Sequence, residues 1–208
     1  LREEYFEMVK EIVTLYKDDS RVIAWDLFNE PGNSNRENIT MPYLVRMFET
    51  VRAINPSQPL TVAAWWFDLD DFHTSEVNQY ALDNSDIITY HNYSTYEEHI
   101  RVLKYLKSLG RPIINTEWLA RCTGNTIFDN FPVFYLENVG CYMWGFVAGK
   151  YQTYEPWNEY FNEWKEHADQ YDFTKWQHDL FRPSLHPYDP REIKLIKHFN
   201  ALATQKER

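Results

Sequence analysis

Val22-Ile-Ala-Trp-Asp-Leu-Phe-Asn-Glu-Pro31 decides the fold. A mostly apolar run from Val22 to Phe28 stops abruptly at Asn29, Glu30, Pro31 and Gly32. This is how a strand covered on both faces looks when it ends in a turn: continuous rather than alternating hydrophobicity, then residues that break the strand. Working outward, the same pattern recurs at Leu60–Trp66, Asp86–His91, Pro112–Glu117 and Gly140–Phe146. Between these runs lie stretches with helical periodicity: Thr40–Ile54 with Thr40 at its N-cap and Pro56 just beyond it, Ser75–Leu82, Tyr96–Leu109 and Thr126–Asn138. Upstream, Arg2–Tyr16 sets Tyr5, Val9, Ile12, Val13 and Tyr16 on one helical face, with no strand before it. Downstream comes a long aromatic loop with Trp157, Trp164 and Trp176, then a helix from Pro190 to Leu202 that starts after Asp189.

Strands alternating with helices at regular intervals predict parallel βα units. The spacing fits the units of a (β/α)8 barrel. Five such strands cannot close a barrel of eight, so the expectation is a C-terminal portion comprising strands four to eight, with the first three units absent. The 208 residues form a single incomplete barrel domain on this reading, with the aromatic loop and terminal helix filling 147–208.

Composition narrows the function. The formal charge is −10 with no basic run, which leaves nothing to attract nucleic acid or an anionic membrane surface. No apolar stretch reaches the roughly 20 residues of a membrane-spanning helix. Trp, Tyr and Phe together make up 17% of the chain, and many of them lie in polar loops, as suits a cleft whose ligand presents flat C–H faces and hydroxyls. Cys122 and Cys141 match no metal spacing. They would sit at opposite ends of neighbouring strands, roughly 20 Å apart for strands of about six residues, too far for a disulfide.

In parallel α/β folds the reacting groups gather where strands end. Here those ends carry Asn29 and Glu30, Asp68, His91 and Tyr93, and Glu117, with Trp144 inside the last run. Glycoside cleavage needs two carboxyl groups, one to protonate the leaving oxygen and one to attack the anomeric carbon or activate water. Glu30 and Glu117 are the natural pair. Asn29 is placed to meet a sugar hydroxyl, Tyr93 to hydrogen-bond a carboxylate, and Trp144 to floor the sugar ring at the bond to be cut.

These strand ends resemble the large superfamily of retaining (β/α)8-barrel glycosidases that includes glycoside hydrolase families 2 and 5. Its Asn-Glu pair at the end of strand four matches Asn29-Glu30. Its sixth-strand His-x-Tyr matches His91-Asn-Tyr93, its seventh-strand nucleophile matches Glu117 in Ile113-Ile-Asn-Thr-Glu-Trp118, and its eighth-strand Trp matches Trp144 in Tyr142-Met-Trp-Gly145. The tail, with Gly149-Lys-Tyr-Gln-Thr153, Pro156-Trp157 and His178-Asp-Leu-Phe-Arg-Pro183, is similar to a cellulase-like subgroup. The resemblance implies Glu117 as nucleophile and Glu30 as acid/base, with Asn29, His91, Tyr93, Trp144, Trp66, Trp118 and Arg121 around the sugar. It implies an oligo- or polysaccharide substrate, no cofactor and a secreted or periplasmic home. The Arg that the superfamily places at the end of strand two, and a His near strand three, would precede Leu1. For Arg121 a structural ion pair is the competing reading.

Two other classes compete. A metal-dependent barrel hydrolase would need ligand spacing, and His73, His91 and His99 show none. A non-catalytic glycan-binding relic would keep the aromatic platform and lose the carboxylates, whereas both Glu30 and Glu117 are present.

Overall fold

The structure is a computed structural model and describes residues 2–65, 75–167, 172 and 174–206. The chain divides into two compact units, Leu1–Asn92 with Val102–Thr116, and Tyr93–Arg101 with Glu117–Arg208.

The first unit is built on parallel strands. β1 (Trp25–Asn29) pairs in parallel with β2 (Leu60–Ala63), in the register Trp25↔Leu60 and Asp26↔Thr61, with an irregularity before Asn29↔Ala63. A parallel bridge, Ala64↔Tyr90, joins β2 to β3 (Ile88–His91), and β4 (Ile113–Glu117) runs beside β3. All four residues of β2 and of β3 are buried, as continuous apolar runs require. The alternation of strand and helix is therefore the α/β organisation read from the sequence, although each strand is shorter than its apolar run.

Helices cover this sheet. α1 (Arg2–Tyr16) opens with Glu3 and Glu4, whose charge suits a helix N-terminus. Its buried residues are Phe6 and Val13, one heptad apart, with Val9 partly buried between them. Tyr5, Ile12 and Tyr16 are exposed. The inward stripe is thus turned by about one residue from the expected one, because α1 carries apolar side chains on two faces and only one meets the core. α2 (Met41–Ile54) places Pro near its start, where a missing N–H costs nothing, and ends on Asn55 in the left-handed region. Thr40 occupies its N-cap but makes no capping bond, its hydroxyl donating instead to the Glu37 carbonyl at 2.9 Å. Arg46 clamps α2 to α1, bonding both carboxylate oxygens of Glu3 while its guanidinium covers the Phe6 ring at 4.0 Å. α3 (Glu76–Asn84) is capped by Ser75, which accepts from the Asn78 N–H. α4 (Tyr96–Ser108) leads to β4.

The second unit packs α5 (Ile127–Leu136), capped by the Thr126 hydroxyl oxygen, against α7 (Pro190–Lys206). Phe199 of α7 meets Phe131 and Tyr135 of α5 at ring distances of 6.2 and 5.3 Å. β5 spans only Gly140–Cys141, so the expected strand to Phe146 is corrected to two residues. Gly145 turns the chain four residues further on. Its φ is +82°, and a Cβ there would come within 2.6 Å of the Asp179 backbone nitrogen. Asn158–Glu166 forms a further helix, α6, inside what reads as an aromatic loop. No helix among the described residues is long and apolar enough to cross a membrane.

Candidate active site

Glu30 follows β1 in an unusual backbone state. Its φ is +46°, a left-handed conformation that a non-glycine residue adopts at a cost of about 1–3 kcal/mol and that clusters at functional sites. The turn is closed by Asn33, whose N–H donates to the Glu30 carbonyl at 3.1 Å and whose side-chain amide donates to Glu30 Oε2. The other carboxylate oxygen, Oε1, shares a 2.7 Å hydrogen bond with Nδ1 of His91, a side chain buried at the end of β3. The Glu30 carboxylate is thereby fixed from both sides. The indole of Trp65 steadies the same turn, donating to the Pro31 carbonyl at 2.9 Å.

Asn29 is exposed and borders an open recess of about 340 Å³ with Tyr5, Leu27 and the Asp26 carboxyl. Asp26 hydrogen-bonds the Ala63 N–H and the Thr89 hydroxyl, at 3.3 and 3.5 Å. Crowding by protein atoms pushes its carboxyl up to about 6, although the recess keeps it in touch with solvent.

In the second unit, half-buried Glu117 ends β4 and accepts a 2.8 Å hydrogen bond from the Tyr93 hydroxyl. Tyr93 is itself anchored, since its carbonyl accepts from the Thr123 hydroxyl at 2.6 Å. Its ring meets Trp157 edge-on at 5.1 Å and His178 at 5.6 Å. The segment after Glu117 is tightly held: Leu119 has φ +81°, its N–H donates to Asn125 Oδ1, and its carbonyl accepts from His178 Nδ1. Burial pushes His178 down to about 4, against the opposing effects of that hydrogen bond and of Asp179. The ring is therefore neutral near pH 7, and its proton sits on Nδ1.

Two residues expected at the sugar lie elsewhere. Trp118 is 0% exposed and stacks on Phe131 at 5.9 Å, because adjacent residues of a strand point to opposite faces and Glu117 takes the open one. Arg121 is 4% exposed, bonds both carboxylate oxygens of Glu192 at 2.8 and 2.6 Å, and lies over the Tyr188 ring at 4.6 Å. Its guanidinium is engaged in holding the start of α7, the structural ion-pair alternative. Trp144, expected inside a strand, stands beyond β5 with 44% of its surface exposed, and its N–H donates to the Trp118 carbonyl at 2.9 Å. Trp66, Asp68 and His73 lie outside the described residues. Cys122 and Cys141 are free, and burial pushes their thiols up to about 11 and about 12, so neither is a nucleophile at neutral pH.

The sequence reading missed Asn33 and His178. Asn33 had a signal, lying three residues past Glu30 in a Pro-Gly turn. His178 lies 59 residues past Leu119, and only the fold brings the two together.

Residues 2–137 match the model of cellulase, glycosyl hydrolase family 5. A glycosylated endo-β-1,4-xylanase of glycoside hydrolase family 10 from Gloeophyllum trabeum is similar in structure, with a TM-score of 0.55 and 16% identity over 93% of this chain and 66% of that one. β-Glucuronidase 2 of Bacteroides uniformis is similar with a TM-score of 0.54 and 13% identity over 86% of this chain and 24% of that one. The chain thus spans less than two thirds of either solved protein. No curated protein matches it in sequence. The family match covers well over half of the chain and includes Asn29, Glu30, His91, Tyr93 and Glu117, so the chain belongs to glycosyl hydrolase family 5, the cellulase family.

Proposed function

We propose that this chain carries the two catalytic carboxylates of a retaining glycoside hydrolase acting on β-linked glycans, with Glu117 as nucleophile and Glu30 as general acid/base. Family membership implies glycan hydrolysis. The roles follow the strand order of the resemblance, the carboxylate after the Asn-Glu strand being the acid/base and the one ending β4 the nucleophile, and each is held in place by neighbours. Glu117 accepts from the Tyr93 hydroxyl, which orients its carboxylate. Glu30 is held by the His91 ring and by the Asn33 amide, which fix its direction. In the first step Glu117 attacks the anomeric carbon while Glu30 protonates the leaving oxygen. In the second Glu30 takes a proton from water, which displaces Glu117. Asn29 and His91 face sugar hydroxyls in this reading, and Trp144 floors the ring.

The mechanism requires the two carboxyl groups about 5 to 5.5 Å apart, and a crystal structure showing about 8 Å or more with ordered side chains would point to inversion. The reading also takes the five strands as strands four to eight of a (β/α)8 barrel, the other three units coming from polypeptide outside these 208 residues.

The direct test is turnover of an aryl β-glycoside by a preparation that contains this chain with its barrel complete. Glu117→Ala should lose activity by several kcal/mol of transition-state stabilisation, about a thousandfold or more. Azide should restore Glu30→Ala and give a glycosyl azide of retained configuration, because it attacks the covalent intermediate from the face water uses. Activity of Glu117→Ala within about tenfold of wild type would remove Glu117 from the nucleophile's role.

A further inference from the structure

β1 carries one residue too many just before Glu30. From Asp26 to Asn29 it takes three steps where β2 takes two, from Thr61 to Ala63. A bulge of this kind re-aims the residues that follow it, and bulges gather beside active sites. The Asp26 carboxylate lies at the foot of the bulge and is met by donors from two other strands. Its Oδ1 accepts from the Ala63 N–H of β2 at 3.3 Å, and its Oδ2 accepts from the Thr89 hydroxyl of β3 at 3.5 Å. Thr89 Oγ1 lies 2.8 Å from Thr61 Oγ1, and both threonines are buried. With the Thr89 proton committed to Asp26, the Thr61 hydroxyl donates to Thr89. Two hydroxyl dipoles in line then point at the carboxylate, an arrangement that suits an anion.

The place of this anion links it to the candidate chemistry. Alternate residues of a strand point the same way about 7 Å apart, so Thr89, which touches Asp26, stands one pleat below His91 on β3. Asp26 itself lies four residues before Glu30. His91 Nδ1 and Glu30 Oε1 share a single hydrogen bond of 2.7 Å and the one proton in it. Within the first unit the titratable side chains beside Asp26 are His91 from β3 and Tyr5 of α1, which borders the same recess, while β2 offers only Thr61 and Ala63. Among the described residues no lysine or arginine bonds Asp26, and His91 is the charged partner that acts on it. Crowding by protein atoms holds the Asp26 carboxyl up to about 6, against the pull of its hydrogen bonds and of His91, so the negative charge is present at neutral pH.

We propose that Asp26 is a positioning residue for the acid/base, an anion set beneath His91 that strengthens the hold of the His91–Glu30 pair on its shared proton. The proposal deepens the glycosidase reading and rests on it. Glu30 must hold a proton when the leaving oxygen arrives and take one back from water afterwards. A nearby anion raises the proton affinity of the pair as a whole, because a proton on either member lowers its electrostatic energy beside the Asp26 carboxylate. The pair then titrates as a unit whose values belong to both groups. Removing the Asp26 charge lets the proton go at lower pH, and so moves the high-pH limb of kcat/KM toward acid. An Asp26 that served only to seat the bulge would leave that limb in place as long as its hydrogen bonds were kept.

Asp26→Asn keeps an acceptor for the Ala63 N–H and removes the charge. In the enzyme with its barrel complete, the high-pH limb of kcat/KM for an aryl β-glycoside should move down by about half a pH unit or more, with KM within about twofold of wild type. NMR titration of the protein reads the same coupling without turnover. The His91 Cε1 signal, assigned by its loss in His91→Gln, should titrate about half a unit or more lower in Asp26→Asn. His91→Gln should in turn raise the midpoint of the Asp26 carboxyl signal, a result that does not depend on how Asp26→Asn folds. This role for Asp26 is overturned if His91 titrates alike in wild type and Asp26→Asn, if the Asp26 signal is unmoved in His91→Gln, or if the high-pH limb stays where it is. Reciprocal shifts in a protein that cleaves no glycoside, even with its barrel complete, would keep the coupling and sink the glycosidase reading. Cleavage by the wild type with an unmoved limb in Asp26→Asn would do the reverse.

Discussion

The phenol of Tyr93 faces two ways, with its oxygen toward Glu117 and its ring toward Trp157 and His178. Tyr93→Phe separates the two duties, because the ring stays and the donor goes. In the complete enzyme kcat should fall about ten- to a hundredfold, the worth of a hydrogen bond to a charged group, while KM for a neutral oligosaccharide changes by no more than about twofold. A rise in KM with kcat unchanged would mean that the hydroxyl serves binding alone. His178 has a separate signature in stability. Its folded-state value of about 4 lies below the unfolded 6.5, so between those pH values the unfolded chain binds more protons and stability falls as the solution is acidified. The loss should approach about 3 kcal/mol by pH 4 and be missing from His178→Asn, as measured by urea melts of both proteins between pH 7 and pH 4. Asp26 titrates with the opposite sign. Its raised value stabilises the folded state at low pH and lets that contribution go as pH rises through about 6, so Asp26→Asn should steepen the acid loss. Among single residues, the positions of Glu30, His91 and Glu117 at strand ends were legible because polar groups interrupt apolar runs, while their roles are part of the proposal. Trp118, which the resemblance sets around the sugar, is buried instead, because the two-residue period of a strand puts it on the face opposite Glu117.

Elements show where the sequence pattern carried and where it broke. The helices α2, α3 and α5 begin within a residue of the expected starts because Thr40, Ser75 and Thr126 mark them, two of these by a capping bond. β5 broke the pattern: Gly140–Phe146 is apolar enough for a strand, but only Gly140 and Cys141 pair, and the left-handed Gly145 then turns the chain before Phe146. The glycine inside the run was the available signal. Gly145→Ala should destabilise the protein by about 2–4 kcal/mol, since the new methyl would strike Asp179 and His178 and the backbone state itself disfavours a side chain. A thermal melt within about a degree of wild type would show that the 178–179 segment yields easily. α6 went unread because its sequence, Asn158–Glu166, is strongly acidic and sits among aromatic residues that read as loop. Arg121 and Glu192 give the element scale its sharpest prediction. Arg121→Ala leaves a buried carboxylate unpaired and should cost about 3–5 kcal/mol, whereas Arg121→Met with Glu192→Leu should recover most of it, as denaturant midpoints of the three proteins will show.

For the whole molecule, the α/β class was legible because strand and helix periods alternate at regular intervals, and that depends on composition spread along the chain rather than on any single contact. The second unit was less so. Its core joins Trp118, α5 and α7 across long stretches of chain, and local periodicity carries no record of such pairings. If the strands are the fourth to eighth of a barrel, this chain alone, monomeric by light scattering, should hydrolyse an aryl β-glycoside far more slowly than the order of 1 to 1,000 per second of a working enzyme. A fully active monomer would mean that the five strands close in another way. The Arg121–Glu192 pair also bears on how the molecule is made. The two residues are 71 positions apart, and ribosomes add about 5 to 20 residues per second, so a nascent guanidinium waits roughly 4 to 14 seconds for the carboxylate it will be buried with. During that interval the first unit has all of its sequence and can condense, while Trp118 and Phe131 have no α7 to close over them. Slowing translation between positions 121 and 192, by rare codons for instance, should lower the soluble yield of this chain, and speeding it there should raise it.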